Sequence, residues 1–464
     1  MTKMLKAYSP IDGSLYVQRD YADINQINTA LQLAHSAQKH WKLTSLKERK
    51  ALCSKAVDEF VACKSMIAKE LCWQMGRPIK YAEGEVASFA DRSKYMISIA
   101  TDTLAPIEVS EKYGFDRYIK REPVGVVLVI APWNYPLHTP INAIIPAILA
   151  GNAVLLKHSS QTPLCAERIV EAFERAGLPE GVIQYLHMNH DNTELLIKSQ
   201  DISGVAFTGS VAAGKKIEQA ASGRFIGVGL ELGGKDPAYI RADADLDYAV
   251  ESTVDGAFFN SGQSCCGIER IYVHDSIYDD FVSKFVSLVK QFKLGRSDDP
   301  DTTLGPLVRD SAAEFVRNQI LDAMKQGAIP QIDPYSFSLN KKGSAYMAPQ
   351  VLTNVNHSMR VMTEESFGPV IGIMKVSADE EAIKLMNDSE FGLSAAIYSS
   401  NIEEAVELGD QLETGSFFVN RCDYLDPELA WTGVKNSGRG CTLSSQGFNA
   451  FTRLKSFHIK TDVS

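Results

Sequence analysis

At 464 residues the chain is too long for one small domain, and at roughly 100–200 residues per domain it divides into two or three. Its 45% hydrophobic and 22% charged residues are those of a globular protein with a large core, and a net charge of −10 argues against general binding of nucleic acid or acidic membranes. The eight cysteines show neither CxxC spacing nor a Cys/His cluster, so reduced thiols and no metal site are expected.

Residues 24–98 carry apolar side chains at spacings of three and four, with Asp23 or Asn25 as a cap, and are predicted helical. Residues 113–122 alternate like a half-exposed strand. From 124 onward, short apolar runs predict strands at 124–131, 152–157, 183–186 and 204–209. Helices are predicted between and after them at 139–150, 163–176, 191–199 and 211–222. This βαβα order implies a parallel sheet with helices on both faces. A second series follows Gly233, with helices at 246–259, 276–292, 310–326, 378–387 and 402–412. Its strands are predicted at 270–273, 370–376, 395–399 and 416–420. Residues 328–345 read as a surface excursion, and 451–461 alternate again. The most apolar stretch, 124–154, is broken by Pro132, Pro136, Pro140 and Pro146, so no membrane helix of ~20 residues fits there. Residues 1–10 lack the apolar core of a signal peptide, and a cytoplasmic protein is expected.

Four short motifs carry chemistry. In Gly262-Gln263-Ser264-Cys265-Cys266 a thiol stands where converging backbone N–H groups favour a nucleophilic thiolate, although a lone cysteine more often serves packing. In Glu231-Leu232-Gly233-Gly234-Lys235 a carboxylate precedes two glycines and can swing toward water as a general base; an exposed turn residue is the plain alternative. In Pro132-Trp133-Asn134-Tyr135-Pro136-Leu137 an Asn amide follows a parallel strand, where it can donate to a developing oxyanion; the alternative is a rigid turn. In Phe207-Thr208-Gly209-Ser210 a helix opens whose N-terminus can hold a pyrophosphate. Gly209 to Lys215 also matches a P-loop, but Lys216 stands where that site needs Ser or Thr.

Together with KHSSQTP (157–163), FFNSGQSCC (258–266), EESFGPV (364–370), FGLSAAIYS (391–399) and GVKNSGRG (433–440), these motifs resemble the aldehyde dehydrogenase superfamily over essentially the whole chain. The resemblance implies an α/β fold of two doubly wound α/β domains with a small β oligomerisation flap. The dinucleotide-binding domain spans 1–103 and 124–232, the catalytic domain 233–434, and the flap 104–123 and 435–464. It implies that Cys265 attacks the aldehyde carbon, that Asn134 and the Cys265 backbone N–H meet the oxyanion, and that Glu231 activates the water that hydrolyses the thioester. Trp133, Lys157, Ser160, Gly209, Ser210, Glu365 and Phe367 are the expected contacts for NAD or NADP. A homodimer or homotetramer acting on a small-molecule aldehyde is implied, with no nucleic acid and no membrane partner.

The chain departs from the family pattern in places. NAD-selective members carry Glu where this chain has Ser160, so acceptance of NADP is expected. The usual Pro-Phe near the C-terminus reads Ala430-Trp431, and the tail after Gly440 differs. The motifs around Cys265 resemble those of succinate-semialdehyde dehydrogenases, in which an Arg six residues before the nucleophile grips the distal carboxylate; here that position is Phe259. With Tyr135, Asn142 and Trp431 as the other walls, none of which neutralises an anion, a medium-chain aliphatic or aromatic aldehyde is expected. Succinate semialdehyde is the alternative, with Arg421 or Arg92 as its anchor. A CoA-acylating enzyme or a non-catalytic relative shares the fold, but Glu231 argues against the former and the full set Cys265, Glu231 and Asn134 against the latter.

Overall fold

Val126–Ile130 and Ala153–Lys157 are apolar on both faces, as strands covered from two sides must be, and both are wholly buried. They form the middle of a six-stranded sheet in the computed structural model, which describes residues 4–463. The order runs Gly438–Arg439, Gly227–Glu231, Gly204–Thr208, Val126–Ile130, Ala153–Lys157, Ile183–Tyr185. All neighbours are parallel except Gly438–Arg439, which is antiparallel. Side chains alternate between faces. Val127, Val129, Val154 and Leu156 pack on one side, with helices Leu46–Val61, Ile79–Thr103, His138–Ala150 and Pro163–Ala176. Val126, Leu128, Ile130 and Leu155 pack on the other, with helix Ile24–Trp41. Asp23 caps that helix with a capping box, as expected.

The second series builds a seven-stranded sheet in the order Ile329–Pro330, Gln350–Thr353, Val370–Val376, Ile268–His274, Asp236–Ile240, Ser394–Tyr398, Ser416–Val419. It is parallel except at Ile329–Pro330. A third, antiparallel sheet joins Ile107–Glu108, Phe115–Pro123 and Thr452–Lys460. The architecture is thus the expected α/β one, two mostly parallel sheets with a small β appendage. Of the 435–464 segment, only Thr452–Lys460 joins the appendage: Gly438–Arg439 pairs with Gly227–Glu231, and Ser445–Phe451 contacts helices Ile79–Thr103 and His138–Ala150. The outermost ends of 1–103 and 435–464 lie outside the described residues.

Among described strands of four or more residues, four regions depart from the sequence reading. The hairpin Met4–Tyr8 and Leu15–Asp20 is too short and polar to stand out. Gly227–Glu231 is glycine-rich, Asp236–Ile240 begins with Asp-Pro, and Gln350–Thr353 follows a Pro; each composition reads as a turn, and burial overrides it. Nor is 328–345 wholly superficial, since Ile332 and Phe337 enter the core. No described helix is long and apolar enough to cross a membrane.

Candidate active site

Strands Val126–Ile130, Ala153–Lys157, Gly204–Thr208 and Gly227–Glu231 end along one edge of the parallel sheet, where such sheets place their ligands. A cavity of about 980 Å³ opens there, lined among others by Asn134, Lys157, Ser210, Glu231, Cys265 and Glu365.

The Cys265 loop follows helix Leu246–Phe258 through a tight turn, Phe259–Gly262. Asn260, Ser261 and Gly262 all have positive φ, and the two non-glycine residues make this a strained conformation that needs support. The Asn260 amide donates to the carbonyls of Asn134 and Gln263, both at 3.2 Å. Ser261 Oγ donates to Gly305 O at 2.9 Å, and Gln263 Oε1 accepts from the Val308 N–H at 2.8 Å. A side chain at Gly262 would collide with the Gly368 carbonyl. Cys265 emerges half-buried at the cavity. Cys266 is buried and donates to Asp423 at 3.0 Å. Its hydrogen bond with Cys265 and then its burial push its thiol well above the ordinary range, so Cys265 is the thiol available to react.

Asn134 is buried on the turn between strand Val126–Ile130 and helix His138–Ala150. Its amide Nδ2 donates to Gln263 O at 3.2 Å, which brings it onto the Cys265 loop. Its carbonyl accepts from Arg77 Nη2 at 2.7 Å as well as from Asn260. Arg77, only 2% exposed, also reaches Asn260 Oδ1 at 3.3 Å and pairs with buried Glu85, whose other oxygen accepts from the Leu137 N–H at 2.8 Å. This network ties the 132–137 turn to the Cys265 loop.

Glu231 ends its strand half-buried. Thr208 Oγ1 donates to one carboxylate oxygen at 3.0 Å and Thr442 Oγ1 to the other at 2.6 Å. Burial raises its pKa, and the two hydroxyls and the Arg92 charge offset part of that rise. The Gly233-Gly234 turn lies directly on the Cys265 loop, since a side chain at Gly234 would collide with the Cys265 carbonyl.

The expected cofactor residues line the same cavity. Lys157 is buried, and desolvation alone pushes its ammonium down to about 8. Ser160 is exposed nearby. Ser210 caps helix Val211–Ala221 by accepting from the Ala213 N–H at 3.3 Å, with Gly209 just before it. Glu365 accepts from the Gly234 N–H at 2.9 Å, and burial and then the Glu269 charge push it up to about 8. Trp133 and Phe367 meet edge to face, 5.6 Å apart.

The four expected wall residues also line the cavity, but the wall is not the apolar one anticipated. Phe259 packs edge-on to Tyr81, Trp431 is buried beside Cys266 and Leu443, and Tyr135 stacks on His138 with Arg77 over its ring. Asn142 is buried and hydrogen-bonded to Arg92, a cation that itself lines the cavity. None of the four carries a positive charge, as expected, but the cavity they line also holds the Arg92 guanidinium. Arg421, the other reserve anchor, is exposed and stacked on Tyr424 with its guanidinium carbon 3.5 Å from the ring centre.

The sequence reading missed Arg77, Glu85, Asn260, His138, Thr208 and Thr442 as parts of this site. Glu85 and Arg92 left a usable trace: both are charged residues at the helical spacing of Ala82, Phe89 and Met96, which is the buried face of helix Ile79–Thr103. Thr442 left none.

The sequence profile described as the aldehyde dehydrogenase family matches residues 1–457. The succinate-semialdehyde dehydrogenase [NADP(+)] 1 of Mycobacterium tuberculosis H37Rv is 32% identical over 97% of this chain and 98% of its own length. The succinate semialdehyde dehydrogenase [NAD(P)+] Sad of Escherichia coli K12 is 33% identical over 96% of both chains. A crystal structure of succinic semialdehyde dehydrogenase from Streptococcus pyogenes, in complex with NADP+ as the cofactor, superposes with a TM-score of 0.94 at 31% identity, covering 98% of this chain and all of that one. With a family match over nearly its full length and relatives above 30% identity across it, this chain belongs to the aldehyde dehydrogenase family.

Proposed function

We propose that the protein oxidises an aldehyde to a carboxylic acid with NADP or NAD through a thioester on Cys265. The observation that carries this reading is that Cys265, Asn134 and Glu231 converge on one cavity whose lining also includes Lys157, Ser210 and Glu365. The Cys265 thiolate adds to the aldehyde carbon and gives a thiohemiacetal. Its oxyanion is met by the Asn134 amide and the Cys265 backbone N–H. Bound NAD(P) supplies a hydride acceptor. The carbon left on Cys265 is then a thioester. Glu231 takes a proton from water as the water attacks it, and collapse releases the acid and the thiolate. A CoA-acylating enzyme needs no such base, so Glu231 favours hydrolysis.

The residues present fit the cofactor: a buried ammonium on Lys157 with no anion paired to it among the described residues, and a helix N-terminus at Ser210. Ser160, neutral and exposed, leaves room for a 2′-phosphate, and relatives named for NADP agree with that. Ser160→Glu should raise KM for NADP at least tenfold more than KM for NAD. Steady-state kinetics with both cofactors checks this, and a wild type that ignores NADP would remove Ser160 from the argument.

For the substrate, the medium-chain aldehyde expected above gives way to a semialdehyde, with an aldehyde at one end and a single carboxylate at the other, the class named for the relatives. The deciding experiment is kcat/KM of the wild type for succinate semialdehyde against hexanal and benzaldehyde. Succinate semialdehyde should win by at least tenfold, and a win for hexanal restores the apolar pocket. Residues 1–103 with 124–232 serve as the cofactor unit and 233–434 as the catalytic unit, while the flap unit is 104–123 with Thr452–Lys460 in place of the whole of 435–464. Exposed Ile107, Leu454 and Ile459 in the flap sheet suit a homodimer or homotetramer.

Glu231 acts deprotonated, and donors to its carboxylate favour that form. Thr442→Val removes one donor, so its pKa should rise further and the acidic limb of the deacylation rate should move to higher pH. Single-turnover rates across pH check this; a limb that stays in place would leave Thr442 a packing residue.

A further inference from the structure

Helix Ile79–Thr103 places a guanidinium in the wall of the reaction cavity. Arg92 is 6% exposed, yet Glu231, Cys266 and Cys265 are near enough for their charges to act on it. Among the described residues its only side-chain hydrogen-bond partner is Asn142. With the Asn142 amide turned to suit both neighbours, its oxygen accepts from Arg92 Nη1 at 3.2 Å and its nitrogen donates to His138 O at 3.0 Å. Arg92 Nε is buried with no partner, and so is His138 Nδ1. Burial, and then the charges of Arg92 and Arg77, hold the His138 imidazole neutral.

A buried cation without a counter-ion is strongly disfavoured, and a protein keeps one where a ligand completes it. The nearby carboxylates are already engaged by other donors. Glu85 is held by Arg77 and the Leu137 N–H, Glu231 by Thr208 and Thr442, and Asp423 by Ser264 Oγ and Cys266 Sγ. None of them takes a hydrogen bond from Arg92. The other cavity arginines are not equivalent: Arg77 spends its donors on Glu85, Asn134 and Asn260, and Arg309 is exposed.

We propose that Arg92, with His138 Nδ1 and the Asn142 amide beside it, is the seat for the distal carboxylate of the substrate, so that the aldehyde end meets Cys265 while the anionic end meets Arg92. The seat rests on the substrate class proposed above. It gives the guanidinium its missing counter-ion and turns an energetic liability of the free enzyme into selectivity for α,ω-semialdehydes over neutral aldehydes. In the tautomer that carries the proton on Nδ1, His138 adds a neutral donor.

The test compares the ratio of kcat/KM for succinate semialdehyde to that for hexanal, with NADP, in the wild type, Arg92→Met and Arg92→Lys. In Arg92→Met the ratio should fall about a hundredfold, mainly through KM for the semialdehyde. Inhibition of the wild type by succinate, stronger than by hexanoate, should disappear with it. Arg92→Lys keeps the charge and loses the planar fork, and its ratio should fall by about tenfold. It also decides the matter if the Met variant does not fold. If Arg92 served only to tune Glu231, both substrates would lose kcat alike; an unchanged ratio in the folded variants therefore overturns the seat while a wild-type preference for succinate semialdehyde still stands. A wild type that prefers hexanal overturns the substrate class and the seat together.

Discussion

Glu231→Gln enzyme mixed with aldehyde and NADP should carry a covalent acyl adduct on Cys265, visible as an added mass on the intact chain. Its steady-state rate should fall by about 10²–10⁴, the usual contribution of a general base. In the proposed mechanism thiol addition and hydride loss need Cys265 and the oxyanion donors, and neither uses the Glu231 carboxylate. Attack of water on the thioester does. An amide at 231 can still accept from Thr208 or Thr442, so the strand end is kept while the base is lost. The acyl group therefore accumulates. The pH dependence follows with a definite sign. Burial holds the Glu231 carboxyl above its ordinary value, so the deprotonated fraction grows as pH rises and deacylation slows on acidification; the Gln variant should lack that limb. Cys265→Ser, in contrast, should show neither turnover nor adduct. Near-normal turnover by Glu231→Gln without any adduct would take Glu231 out of the mechanism.

Most of the fold was legible because its signals are local. The strand at Val126–Ile130, and the helices Pro163–Ala176 and Asp310–Lys325, follow from periodicity and from Gly or Asp at their ends. The strands that were missed have turn-like composition, and only burial between neighbours makes them strands: Asp236–Ile240 lies between Ile268–His274 and Ser394–Tyr398. The site divides in the same way. Cys265, Glu231 and Asn134 stand in motifs, and the structure brings them to one cavity. Arg77, Asn260 and Thr442 do their work across the chain, with Arg77 reaching a residue 183 positions away and Thr442 one 211 positions away. No window of sequence joins such partners. The expectation of an apolar wall was incomplete for a related reason. Counting wall residues from the motifs leaves out helix Ile79–Thr103, so its inward-facing Arg92, which belongs to no motif, was legible only as a reserve anchor.

Asn134→Ala should lower kcat by about 10²–10³, equivalent to about 3–4 kcal/mol of lost transition-state stabilisation, with little change in KM. The geometry separates what this side chain does from what its backbone does. Arg77 and Asn260 both bind the Asn134 carbonyl, and Leu137 is anchored by its own N–H on Glu85. All three contacts survive the substitution, so the 132–137 turn and the strained Asn260-Ser261 backbone should keep their places. What disappears is the amide Nδ2, which in the free protein donates only at 3.2 Å to Gln263 O and so can turn toward an oxyanion at modest cost. The second proposed donor, the Cys265 backbone N–H, remains, which is why the variant should slow rather than stop. Because the interaction strengthens only as negative charge develops on oxygen, kcat and kcat/KM should fall together. A fall below tenfold in a protein whose circular dichroism matches the wild type would mean that Asn134 holds the turn and takes no part in the chemistry. A large rise in KM at constant kcat would place it in ground-state binding instead.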